Sequence, residues 1–88
     1  MKLTELDKTI LLAFLVLTKG KEIYVDEPSI VLKFRMRQRP MVRRRLKRLV
    51  RERLLLKHPK ERSYRLSKIG LKEALKILHE GAKLWTIR

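Results

Sequence analysis

The chain contains no cysteine and no asparagine, and Gln38 is its only glutamine. Without cysteine there is no disulfide and no thiolate metal site. Two histidines, His58 and His79, are too few and too far apart in sequence to mark a metal centre. Acidic residues are scarce, nine against 24 lysines and arginines, which leaves a net charge of +15. From Arg35 to Arg51 there is no acid at all. An ordinary solvated helix face would carry acids three or four positions from its bases. Long apolar runs are missing too. Ile10 to Leu17 is apolar throughout but only eight residues long, against ~20 for a membrane span, so it reads as a buried helix. No signal peptide is visible before the first helix signal. Neither a glycine-rich phosphate loop nor a nucleophile beside a base is present, so the expectation is a non-enzyme without cofactor. Nothing marks a pocket for a small-molecule effector.

What is present fits one folded domain spanning 1–88. A 44% hydrophobic content is enough to build a core, which separates the chain from a disordered basic tail. A chain this basic calls for a polyanion. Nucleic acid is the usual one, and an anionic membrane surface is the alternative. The high charged fraction, 38%, with almost no side-chain amide, resembles hyperthermophile usage and points to an archaeal or thermophilic cytoplasm.

The spacing predicts a first helix from Thr4 to about Thr18, opened by Thr4 and Asp7 as a capping box and closed near Gly20. It is apolar on several sides, so Leu11 and Leu15 are candidates for a subunit contact. Ile23-Tyr24-Val25 favours a short strand. Asp26 and Pro28 open a second helix that should end near Arg35 or Met36. Pro40 should begin a third helix running to about Arg53. Val42, Leu46, Leu49, Val50 and Arg53 share one side of it, while Pro40, Arg44, Lys47 and Arg51 share the opposite side, flanked by Arg43 and Arg48. Leu54–His58 and Ser63–Leu66 read as two strands around a turn at Pro59–Arg62. A last helix from Ser67 or Lys68 to about Leu84 carries Leu71, Leu75, Leu78, Ala82 and Trp85 in alternating steps of four and three. That seam serves either the core of this chain or a homodimer interface.

The order is helix, short strand, helix, helix, two-stranded hairpin, helix. The segment Val42-Arg43-Arg44-Arg45-Leu46-Lys47-Arg48-Leu49-Val50-Arg51-Glu52-Arg53-Leu54-Leu55, followed by Tyr64-Arg65-Leu66-Ser67-Lys68-Ile69-Gly70, resembles the winged helix-turn-helix transcription regulators, particularly small archaeal ones. The second stretch is similar to that family's Tyr-x-Leu-Thr-x-x-Gly pattern, with Ser67 in the threonine place. Two positions depart from it. No glycine lies between helices two and three, and Arg53 stands where glycine is frequent.

The resemblance implies a mainly α fold with a small β-hairpin wing (α+β), bound to double-stranded DNA as a cytoplasmic, nucleoid-associated transcriptional regulator. A helix fits the major groove, and the arginine fork matches both phosphate and the guanine edge. The resemblance puts Pro40, Met41, Arg43, Arg44 and Lys47 nearest the bases, with Arg43 and Arg44 as base readers. Arg48 and Arg51 would hold phosphate, Arg35, Arg37 and Arg39 the backbone beside the link, and Lys57, Lys60, Arg62 and Arg65 would seat the wing. A non-specific architectural DNA coater and an RNA-binding module share the charge and stay open as alternatives.

Overall fold

A computed structural model of the protein describes residues 2–87, with side chains through Gly81. Helix α1 spans Glu5–Thr18. Its capping box is complete: the Asp7 amide donates to Thr4 Oγ1 at 3.1 Å, and the Thr4 amide donates to Asp7 Oδ2 at 3.0 Å. The helix ends where both Lys19 and Gly20 turn left-handed, at φ 54° and 79°, so the break begins one residue before the expected glycine. Ile10, Leu11, Phe14 and Leu15 fill the centre of the core. Leu11 and Leu15 were candidates for a subunit contact. They are instead 0% and 8% exposed within a single chain, which leaves them no surface to offer a partner.

Strand β1 is only Val25–Asp26 and α2 only Glu27–Val31. Ile23 and Tyr24, expected in the strand, lie outside it and are about half exposed. Asp26 caps α2 through the Ser29 amide, as the sequence indicated. The helix stops four or five residues short of its expected end. The Lys33 and Phe34 amides donate to the third carbonyl back instead of the fourth, and Arg35 then adopts extended backbone, φ −62° and ψ 148°. Arg39 Nε takes the Phe34 carbonyl at 3.2 Å, and Phe34 is buried. The basic link is itself a short 3-10 turn, Met36–Gln38.

Helix α3 runs Arg39–Arg51, one residue ahead of Pro40 and two short of Arg53. Its end is a Schellman motif: the Arg53 amide donates to the Val50 carbonyl and the Leu54 amide to the Leu49 carbonyl. That motif needs a left-handed residue, and Arg53 supplies it at φ 63°. Arg53 therefore sits outside the helix, not on its apolar side. The chain turns directly into β2, Leu55–Lys57, which pairs antiparallel with β3, Ser63–Leu66. β3 also pairs with β1, Val25 opposite Tyr64, so the three-stranded order is β1-β3-β2. The turn between β2 and β3 begins at His58, one residue before the expected start. Its ring Nδ1 accepts the Lys60 and Glu61 amides at 3.1 and 3.0 Å.

Helix α4 spans Lys68–Ile87. Ser67 Oγ accepts the Gly70 amide and donates to the Arg53 carbonyl, which fixes the helix start against the end of α3. A side chain at Gly70 would collide with the Leu54 carbonyl, so the close approach requires glycine there. Ala74 is fully buried, and Leu71 and Ile77 pack beside it on the core. Leu75 and Leu78 of the expected seam point outward, 49% and 48% exposed. The core-facing line thus runs 71–74–77. Ala82 and Trp85 lie outside the described side chains. The whole is mainly helical, with one small antiparallel sheet, an α+β arrangement.

Candidate nucleic-acid interface

Helix α3 owes its orientation to two kinds of contact. Val42, Leu46 and Leu49 are at most 1% exposed and lock its inner side into the core. Arg45 adds a polar clamp. Its Nε donates to Asp7 Oδ1 at 2.7 Å and its Nη2 to Asp7 Oδ2 at 2.5 Å, so the guanidinium fork grips both oxygens of an acid that is 1% exposed. Burial alone would raise the Asp7 carboxyl. Hydrogen bonds from Arg45 and Thr4 outweigh it and hold the group below the usual carboxylate value. The same partner raises the Arg45 guanidinium.

With its inner side fixed, α3 presents the opposite side to solvent. Pro40, Met41, Arg43, Arg44, Lys47, Arg48 and Arg51 are all exposed. Among the described residues no carboxylate pairs with Arg44, Lys47 or Arg51, nor with Arg35, Arg37 or Lys60. Exposed cations thus line the link, the helix and the hairpin tip. Arg48 is partly countered by Glu52, one turn on at 3.5 Å.

Three residues expected to face a polyanion are engaged by the fold instead. Arg39 is turned back onto Phe34. Lys57 Nζ donates to the Glu61 and His58 carbonyls, closing the hairpin turn from beneath, and stands 5.9 Å from the Tyr64 ring. Arg65 is three-quarters buried, lies over the Tyr24 ring at 5.5 Å and faces Glu22 at 3.9 Å. The hairpin therefore offers Lys60 and Arg62 outward and spends Lys57 and Arg65 on its own shape.

The structure also brings in an acid that the linear reading leaves out of this surface. Glu27, at the start of α2, is held by its backbone amide on the Arg62 carbonyl at 2.8 Å. Its side chain is 14% exposed and lies between two arginines, Oε1 at 3.7 Å from Arg43 Nε and Oε2 at 3.9 Å from Arg62 Nε. Burial first, and then the Glu27 charge, push the neighbouring Tyr64 phenol up, while Arg62 pulls it down. Glu27 is eight residues before the acid-free segment, and only the pairing of β1 with the hairpin brings it back. The position of Arg45 had a signal: at 100° per residue it falls about 40° from Leu49 and about 100° from Arg44, nearer the buried side than the exposed one.

No group of three or more metal-ligating side chains gathers among the described residues. No described helix is long and apolar enough to cross a membrane. Comparison with protein-family models, with curated proteins and with solved structures finds no match.

Proposed function

We propose that the protein is a winged-helix domain that binds double-stranded DNA, acts as a transcriptional regulator, and lays α3 in the major groove with the β2–β3 hairpin on the adjoining backbone. One observation carries the reading: the outward side of α3 is acid-free and exposed, and its Arg44, Lys47 and Arg51 have no carboxylate partner among the described residues. A helix so fixed by its inner side and so charged on its outer side suits a groove lined by phosphates. The element order supports the same reading, as does Arg53 in the left-handed conformation at the position where the family favours glycine. Protein partners are a poorer fit, because interface centres are depleted in like charge.

In this arrangement Arg43 and Arg44 reach base edges near the start of α3, and Arg48 and Arg51 hold phosphate. The exposed Leu75 and Leu78 on α4 leave room for a homodimer, whose two α3 helices would meet half-sites about one DNA turn apart. Selection of bound sequences from random duplex DNA tests the regulator. A discrete enriched site, with matching footprint, supports it. The net charge of +15 favours a second reading, an architectural DNA coater, and uniform protection without enrichment would favour that one.

A further inference from the structure

Resting on the DNA-binding reading, we propose that Glu27 is a specificity-determining residue, which weakens binding to arbitrary DNA and positions Arg43 for base recognition. It is the acid that reaches across three elements of the candidate interface. Its backbone joins α2 to the hairpin, and its carboxylate faces Arg43 on α3 and Arg62 on the hairpin at once. The two ion pairs, at 3.7 and 3.9 Å, are too long to be hydrogen bonds. Each guanidinium is therefore biased in direction but not used up. Arg43 and Arg62 remain 54% and 85% exposed, while the acid between them is largely covered.

Such an arrangement separates two kinds of DNA contact. A phosphate drawn to Arg43 or Arg62 meets the fixed negative charge of Glu27 beside them, so their pull on any backbone is weakened. A base edge carries only partial charges and is repelled far less, and a guanidinium biased in direction meets it with less ordering to lose. A repulsive element against the wrong partner, beside an attractive one for the right partner, is how specificity arises when raw charge alone would bind everything. A domain with a net charge of +15 has particular need of it.

The test compares the full chain with Glu27→Gln, measuring affinity for a random-sequence duplex and for the selected duplex across a salt series. Glu27→Gln should bind the random duplex roughly fivefold more tightly, the factor one unit charge produces a few ångströms away in water. Its salt slope should steepen by about one, and the ratio of selected to random affinity should fall. Glu5→Gln makes the same change in net charge at a residue that is 93% exposed on α1, and it should leave the ratio unchanged. Glu27→Asp keeps the charge but draws it back by one methylene, so it should hold weak random binding and lose part of the selected affinity. Equal random affinity and equal slope in wild type and Glu27→Gln would overturn the proposal, as would an identical effect from Glu5→Gln. Absence of duplex binding by the wild type would remove the DNA reading itself and this inference with it.

Discussion

Arg43 and Arg45 stand two residues apart on one helix, and each faces an acid from an element outside it. Arg45 grips Asp7 through two hydrogen bonds of 2.5 and 2.7 Å, with its side chain 20% exposed. Arg43 faces Glu27 across 3.7 Å and is 54% exposed. Identical side chains thus carry different duties. The short bidentate pair, its carboxylate covered, fixes the helix on the core. The long pair at the surface contributes little to folding and leaves the guanidinium available. Charge alone does not mark an arginine as a ligand-binding residue. Distance to its acid and its own exposure decide whether the guanidinium stays available.

The largest effect should come from breaking the buried pair. Asp7→Ala removes both the clamp and the capping box, and Arg45→Ala leaves a covered carboxylate without its main partner. Each should cost about 3 kcal/mol, the lower end for a buried pair because Arg45 keeps some water. In a domain of this size that lowers the melting temperature by roughly 15 °C. Arg43→Ala should stay within about 0.5 kcal/mol of wild type. Thermal and denaturant unfolding of the three variants checks this, and the comparison breaks if Arg43→Ala is as damaging as Arg45→Ala.

The next effect is on binding and reverses the ranking. Arg44→Ala and Arg43→Ala should each lose about 1–3 kcal/mol of discrimination between the selected site and its single-base variants. Their folding should be unaffected. A loss of equal size on every duplex would make them phosphate anchors.

The smallest effect is in acid. Because the Asp7 carboxyl is held below its ordinary value, the folded form binds its proton less readily than the unfolded chain does. Its share of stability is complete above about pH 3.8 and is lost as the pH falls through the lowered value. Unfolding free energy between pH 5 and 2.5 should therefore fall less in Asp7→Ala than in wild type. Parallel curves would show that the pair is not what acid disrupts.

Much of this architecture could be read from local signals. Thr4 with Asp7 gave the start of α1, Asp26 with Pro28 the start of α2, and the spacing of Val42, Leu46 and Leu49 the buried side of α3. Each depends on neighbours within a turn or two. The misplacements share a cause in longer-range contacts. The cut of β1 to Val25 and Asp26 depends on their pairing with Tyr64 and Ser63 of β3. The outward turn of Leu75 and Leu78 depends on how α4 lies against α1, where Leu11 and Leu15 already fill the core. The candidate interface shows the same division. The exposed arginines of α3 follow from its periodicity. The grip of Asp7 on Arg45, 38 residues away, and the return of Glu27 to the arginine surface come only with tertiary structure.

The central claim is that the outward side of α3 is a phosphate-facing surface. Its most direct test is the affinity for a duplex of about 25 base pairs between 50 and 200 mM salt, for wild type and for Lys47→Ala/Arg48→Ala/Arg51→Ala. If six or so phosphates are neutralised, wild-type affinity should drop about a thousandfold over that range, and the triple variant should bind more weakly with a slope about three units shallower. A wild-type affinity that changes less than threefold, or a triple variant with an unchanged slope, would contradict the account.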